Sequence, residues 1–237
     1  ITQGFLGSTP ENCTTTLGRE GSDYTAAIFT NILNAENQTI WKDVPGVLSG
    51  DPRKFTDAVL LEEISYLEAV EMTFYGASVI HPKTIKPLQN KGIPLLVKSF
   101  IHPENKGTIV GTKNSASLPP IRVVKEDQCL LTFHTKNFSF IAEEVISDLL
   151  SAFAAANFKM NMMQNGAISF QACVDNIPEK IAKVKKAIEH EFDIDQKENL
   201  TLLTIRHYNE EVIASHKMNK KAIIEQKRHT TWQGLLE

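Results

Sequence analysis

The sequence predicts an α/β chain in two parts: a three-layer αβα sandwich with a mostly parallel sheet, then an α+β unit of βαββαβ order. Three observations carry this. Over residues 1–115 short apolar runs alternate with helix-like stretches, the pattern of a sheet with helices on its faces. "TKNSASLPPI" (112–121) then breaks the pattern with small polar residues and two prolines, which read as a linker. Beyond it the order becomes strand, helix, strand, strand, helix, strand.

Taken in order, "ITQGFLG" (1–7) reads as a strand entering a loop. "DYTAAIFTNILNA" (23–35) is a helix with Tyr24, Ile28 and Ile32 four apart, and Ser22 or Asp23 is placed to cap it. "QTIWKDV" (38–44) is a strand stopped by Pro45-Gly46. "LLEEISYLEAVEMTFYG" (60–76) is a helix with Ile64, Leu67 and Met72 near one face and Gly76 as its stop. "IPLLVKSF" (93–100) is almost continuously apolar, as a strand covered on both faces should be.

After the linker, placed at 116–122, "QCLLTFH" (128–134) is a strand. "FIAEEVISDLLSAF" (140–153) is a helix striped by Ile141, Val145, Leu149 and Phe153. "KMNMMQ" (159–164) is a strand whose Met160, Met162 and Met163 fill core. A turn at Asn165-Gly166 leads to "AISFQACVD", where Ile168, Phe170, Ala172 and Val174 form one buried face. "PEKIAKVKKAIEHEF" (178–192) is a helix opened by proline, and "LTLLTIRHY" (200–208) is a strand. The tail, 210–237, supplies a short helix and two strands, as in a second unit of the same kind without its last helix. The divisions are therefore 1–115, the linker 116–122, 123–200 and 201–237.

Composition narrows the function. With 42% hydrophobic and 22% charged residues among 237, the chain is an ordinary globular protein long enough for a sizeable core. A net charge of −3 argues against nucleic-acid binding by phosphate neutralisation, and the basic stretch 216–229 reads as a solvated face. Cys13, Cys129 and Cys173 are odd in number and lack CxxC spacing, which fits free thiols in a reducing compartment. No run approaches the ~18 apolar residues of a membrane span, and no signal peptide opens the chain. The expected location is cytoplasmic. The chain starts without methionine and reads as the later part of something longer.

Three stretches carry chemistry. In "LGREGSD" (17–23) two glycines permit positive φ and close backbone approach at the mouth of a helix, whose N-terminus attracts anions. The planar fork of Arg19 suits a carboxylate or a phosphate. Alone, the stretch fits an anion cradle and a capped surface helix equally. "IWKDVPGVLSGDPRKF" (40–55) places Lys42, Asp43, Asp51 and Arg53 after a strand, where ligands collect in parallel α/β sheets, though an ordinary polar loop would read the same way. "YGASVIHPKT" (75–84) contains Ser78, Val79 and His81; a lone histidine before proline reads as structural, without metal-ligand spacing.

Together, "ITQGFLGST", "TTTLGREGSDYTAA", "IWKDVPG", "DPRKF" and "ISYLEAVEMTFYGASVIHP" resemble the aspartate kinases in order and spacing over residues 1 to about 113. The rest is similar to the paired ACT domains of those enzymes. The resemblance implies the carboxy-terminal part of an amino-acid kinase αβα sandwich followed by ACT regulatory domains. It implies transfer of the ATP γ-phosphoryl to the β-carboxylate of L-aspartate, opening lysine, threonine and methionine synthesis, with Mg2+ held through the nucleotide phosphates and no protein metal site. By position, Arg19 grips a substrate carboxylate, Phe5 and Ser22 border the aspartate, and Asp23 orients a catalytic lysine. Lys42, Asp43, Arg53, Ser78 and Val79 fall in the nucleotide site.

Several positions depart from the family. Lys42 replaces threonine, Leu48 tyrosine and Ser78 lysine, so Lys42 is expected to restore the positive charge lost at Ser78. Glu20 replaces a glycine and is expected to point outward. In the ACT part, Asn137, Ile141, Asn161, Gln164 and Asn165 are the expected amino-acid effector site, with homodimerisation through the ACT domains. Asn161 stands where lysine-sensitive relatives carry an acidic residue, leaving lysine, threonine or another effector open. The alternative reading is a non-catalytic amino-acid-sensing chain that pairs with a catalytic partner. The family's KFGGTS loop is not among these residues. Residues 1–237 alone are therefore expected to release no ADP in a coupled assay with aspartate and MgATP, and turnover would contradict this.

Overall fold

The computed structural model describes residues 1–113, 117–137, 139–217 and 220–237. Residue 116 of the expected linker and residues 218 and 219 of the basic stretch lie outside that set. The chain forms two compact units, Ile1–Val123 with Ile205–Asn209, and Val124–Thr204 with Glu210–Glu237.

The first unit opens with a short antiparallel pair, β1 (Leu6–Ser8) and β2 (Thr14–Thr16). It continues through α1 (Gly21–Leu33), β3 (Gln38–Lys42), β4 (Glu63–Ser65), α2 (Tyr66–Tyr75), α3 (Pro82–Gln89), β5 (Leu95–Ser99) and β6 (Thr108–Gly111). Its sheet has the order β3-β5-β6-β4. β3 runs parallel to β5 and β4 parallel to β6, while β5 and β6 are antiparallel, so the sheet is mixed. Ile64, Ile85, Leu88, Leu95, Val97 and Val110 are completely buried between the layers.

Two differences from the sequence reading have local causes. The helix expected over 60–76 begins only at Tyr66, because the Ser65 hydroxyl accepts from the Glu68 N–H at 3.1 Å and caps it there. The three residues before it pair with β6. Gly76, at φ 121°, ends the helix as expected. α3 was not expected. His81 caps it, its Nδ1 accepting from the Lys83 N–H at 3.1 Å, and Pro82 fills the first-turn position. Thr84, Ile85 and Leu88 form its buried stripe.

The second unit contains β7 (Ile121–Thr135) from Val124 on, α4 (Glu143–Ala155), β8 (Met160–Asn165), β9 (Ser169–Asp175), α5 (Pro178–Ile188), β10 (Phe192–Arg206) up to Thr204, α6 (Glu210–Lys217), β11 (Ala222–Lys227) and β12 (Thr231–Leu236). Its first six elements follow the βαββαβ order of an ACT domain. All six strands join one sheet, ordered β11-β12-β10-β7-β9-β8. α4 and α5 cover one face around Phe133, Phe153, Phe170, Val184 and Ile188. β7 and β10 outrun their expected lengths because "RVVKEDQ" and "FDIDQKEN" are too charged to read as strand.

β9 is buried on both faces, not one. Cys173 meets Leu130, Met162, Leu200, Leu202, Ile224 and Leu235 on the side away from the helices. The sheet curls enough for the Gln226 side-chain amide on β11 to donate to the Met163 carbonyl on β8. Ile168 is exposed because the turn spans Gly166–Ile168, closed by a bond from the Gly166 N–H to the Ser169 carbonyl. Met163 is exposed as well, because a register shift between Met160 and Met162 changes the alternation of β8.

Ile205–Asn209 anchor to α2 within the first unit. Arg206 donates twice to Glu68, Nε to Oε1 at 2.6 Å and Nη2 to Oε2 at 2.9 Å, and once to Glu71 at 2.9 Å. His207 Nε2 lies 3.0 Å from Glu68 Oε2. The Arg206 and Glu68 side chains are each only 7% exposed. Burial by itself would raise the Glu68 carboxyl, but the hydrogen bonds from Arg206 and His207 prevail and bring it from 4.5 to about 2. A carboxylate with a depressed pKa stabilises the fold fully above its unfolded value and loses that contribution as pH falls towards 2. Arg206→Ala should cost about 3–5 kcal/mol in chemical denaturation by stranding Glu68. The stability of Glu68→Gln should fall less steeply than that of the parent between pH 4.5 and 2.

Candidate functional site

Parallel pairing sets the site. Lys42 and Ser99 are in register at the carboxyl ends of β3 and β5, and the Phe100 N–H donates to the Lys42 carbonyl at 2.7 Å. Gln38, Ile40 and Lys42 alternate onto one strand face, and α1 lies over it. The Gln38 side-chain amide donates to the Asp23 carbonyl at 3.3 Å. The Lys42 ammonium donates to Asp23 Oδ2 at 3.0 Å, with the two side chains 23% and 21% exposed.

The loop before α1 is bent by positive φ at Gly18 (77°) and Glu20 (55°). Glu20 is the residue preceding the helix and makes no side-chain cap, so Ser22 and Asp23 sit in the first turn instead of capping it. Glu20 does not simply point outward. Its left-handed backbone directs the side chain so that Oε2 is buried. Phe5, at φ 73°, folds back on this turn: its N–H donates to Thr25 Oγ1 at 3.1 Å and its carbonyl accepts from the Leu17 N–H at 2.8 Å. A Cβ on Gly21 would stand 2.9 Å from Phe5 Cδ2 and from Leu17 Cβ, so glycine is what admits the Phe5 ring.

The structure thus gathers Phe5, Ser22, Asp23 and Lys42 about the first turn of α1, with Arg19 on the loop leading into it. Arg19 is exposed and donates to no protein group among the described residues, leaving its fork directed to solvent. The remaining residues expected on the nucleotide side are placed separately. Asp43 is exposed on the turn after β3. The Thr108 hydroxyl accepts from the Val47 N–H and donates to the Leu61 carbonyl, pinning the base of the arm that carries Asp51 and Arg53. Arg53 spends its fork on Asp51, Nε to Oδ1 at 3.0 Å and Nη2 to Oδ2 at 2.8 Å, which holds Asp51 below the ordinary carboxylate range. Ser78 is exposed, and its neighbour Val79 packs on the core.

Thr25 and Gln38 were not singled out from the sequence. Their signals were slight: a threonine one turn into the helix, and a glutamine four residues before Lys42 on a strand, hence on the same face.

In the second unit the five expected effector residues have diverse surroundings. Ile141 is core, against the aromatic cluster. Asn161 is buried, accepting from the Lys125 ammonium at 2.7 Å and donating to Gln128 Oε1 and Asp175 Oδ1, both at 2.8 Å. Burial would raise Asp175, but hydrogen bonds from Gln128 and Asn161 and the charges of Lys125 and Lys159 lower it. Asn137 is exposed and accepts from the Ser139 N–H at 3.0 Å. Gln164 and Asn165 are exposed at the far end of β8 from Asn161. Among the described residues no three His, Cys, Asp or Glu side chains converge as metal ligands. No helix is long and apolar enough to cross a membrane.

The fold has known counterparts. Residues 1–99 match the model of the amino acid kinase family, and the fold is that of an amino-acid kinase part followed by an ACT-type unit. The similarity is to aspartokinases. The chain is 37% identical to lysine-sensitive aspartokinase 3 of Escherichia coli (strain K12) over 178 residues, 74% of this chain and 39% of that enzyme. It spans about two-fifths of that relative's length. The crystal structure of E. coli aspartokinase III in complex with aspartate and ADP (R-state) covers all of this chain with 56% of its own, at 27% identity and a TM-score of 0.81. The lysine and aspartate complex of the same enzyme (T-state) covers 99% of this chain with 56% of its own, at 28% identity and a TM-score of 0.77.

Alanine within a helix ordinarily stabilises by about 0.5–1 kcal/mol over glycine. Gly21→Ala should instead lower the melting temperature, because Phe5 must leave its place. Partial recovery in Gly21→Ala/Phe5→Ala would assign that share of the loss to the ring and leave the remainder to the Leu17 Cβ.

Proposed function

We propose that the whole protein is an aspartate kinase, transferring the γ-phosphoryl of ATP to the β-carboxylate of L-aspartate under amino-acid feedback. One observation supports this above the others: the open Arg19 fork stands beside the first turn of α1 at the carboxyl ends of two parallel strands, in a chain that aligns throughout with an aspartokinase bound to aspartate and ADP.

In this reading Arg19 holds a substrate carboxylate in bidentate fashion, and Phe5 and Ser22 bound the pocket for the amino acid. A β-carboxylate oxygen attacks the γ-phosphorus while the bond to the bridging oxygen of ADP breaks. ADP departs with that electron pair, and an acyl phosphate is left. Little covalent work falls to the protein, whose residues align the reactants and offset charge. Lys42 and Asp43 follow the strand end on the nucleotide side, with Arg53, Ser78 and Val79 on the adjoining loops. Mg2+ would arrive on the nucleotide phosphates and would offset their charge there.

We place feedback in the ACT-type unit, with the exposed Asn137, Gln164 and Asn165 rather than the buried Ile141 and Asn161 offered to an effector, and pairing of two copies through these domains. The protein is cytoplasmic in this reading. Arg19→Ala in the whole protein should raise the KM for aspartate about 10- to 100-fold, as loss of a charged hydrogen bond of ~1.5–3 kcal/mol requires, and change that for ATP little. Equal effects would count against the assignment. Calorimetric titration with lysine, threonine and methionine should yield one binding isotherm that identifies the effector.

A further inference from the structure

We propose that Arg122, at the head of β7, is a positioning residue for the nucleotide: it clamps Phe55 and Asp57 and so holds the arm that presents Asp51 and Arg53. The inference rests on the kinase reading and on the nucleotide side assigned to that arm. It adds the group that fixes the arm in place.

The arm needs such a group. It spans residues 47–61, and its limbs are joined by the bridge of Leu48 to Leu60. The Ser49 N–H donates to the Val59 carbonyl and the Leu61 N–H to the Val47 carbonyl, both at 2.9 Å. A two-stranded ribbon of this kind is marginal by itself in water. Asp51 and Arg53 lie at its tip, where the Arg53 side chain is 87% exposed. Their ion pair stays within one turn and does not tie the tip to the rest of the fold.

Arg122 supplies the tie, from residues 121–123 that belong to the first unit as the arm does. Its backbone N–H donates to the Ser49 carbonyl at 2.8 Å. Its guanidinium lies over the Phe55 ring, 4.4 Å from the centroid, and Nη1 reaches both Asp57 carboxylate oxygens at 2.8 Å. The Arg122 side chain is 5% exposed and Phe55 is buried, whereas the Asp57 side chain is 71% exposed. The desolvated stack is therefore the stronger hold, and the carboxylate chiefly sets the direction of the guanidinium. Gly50 makes room for it, since a Cβ there would stand 2.8 Å from Phe55 Cδ2. The Phe55 N–H in turn donates to the Asp51 carbonyl at 2.8 Å, so a fixed Phe55 fixes the turn that carries Arg53.

A nucleotide meeting an unfastened arm would have to order it on binding, and the lost freedom would appear as weaker affinity. In the kinase reading aspartate lies at the first turn of α1, away from that cost. The clamp therefore bears on ATP. A lysine at 122 would not replace it, because an ammonium lacks the planar face that covers a ring.

In the whole protein, Arg122→Gln should raise the KM for ATP about 10-fold and Asp57→Asn about 3-fold, with kcat and the KM for aspartate changed less than about 2-fold. Arg122→Lys should behave like Arg122→Gln. Because the Asp57 side chain is mostly exposed, Asp57→Asn keeps the test open if Arg122→Gln does not fold. Trypsin reads the arm without turnover, at the exposed Arg53 and Lys54. Cleavage after Arg53, followed by mass spectrometry, should be slowed by MgADP in the parent and be faster in both variants without nucleotide. Unchanged cleavage in the variants would overturn the clamp. Faster cleavage with an unchanged KM for ATP, or equal rises in both KM values, would overturn its bearing on the nucleotide. If the parent releases no ADP with aspartate, the kinase reading fails. Protection at Arg53 by MgADP then upholds a clamped nucleotide arm, and its absence overturns one.

Discussion

The parallel pairing of β3 with β5 is the constraint on which the first unit depends. It brings two strand ends to the same edge, with Lys42 beside Ser99, and so fixes where polar residues can gather. α1 must then cover the face carrying Gln38 and Ile40, and its first turn arrives over Lys42. The loop before it has little choice of path. Positive φ at Phe5, Gly18 and Glu20 lets two segments cross the same turn, and the absence of a side chain at Gly21 makes the crossing possible. The outcome is a candidate site in which Lys42, bonded to the first turn of α1, lies near the loop that carries the open Arg19.

Two carboxylates elsewhere are drawn from water and matched. Glu68 is surrounded by Arg206 and His207, which together outweigh the penalty of taking its carboxylate from water. Asp175 is treated likewise by Gln128 and Asn161, with Lys125 held against Asn161. In both clusters the partners come from distant parts of the sequence. Satisfying these groups demands a particular tertiary arrangement, which is why such clusters specify a fold even when their net stabilisation is small.

Legibility in the sequence followed the physical range of each signal. α1, β3, β5, α4 and α5 were readable because their apolar residues recur at the period of the element. The start of α2 was misplaced because a strand residue, Ile64, happens to continue the helical stripe, and only the Ser65 cap separates the two. α3 was missed because two prolines obscure it, although one of them, Pro82, helps begin it. β7 and β10 were read short because their charged portions carry no apolar alternation. Among the site residues, glycine-rich flexibility and the arginine were plain, whereas Thr25 and Gln38 act through bonds the sequence does not announce.

The sequence by itself determined the two-part α/β plan and the likeness of its first part to the amino acid kinases. Those follow from local periodicity, turn chemistry and motif order, all of which act over a few residues. The tertiary structure alone decided that Lys42 answers Asp23, that Arg53 turns to Asp51, that Glu20 tucks an oxygen inward, and that Asn161 is enclosed by Lys125, Gln128 and Asp175. Each of these is a choice among partners for a polar group. That choice is settled by which groups the fold brings within about 3 Å and how much water it leaves around them.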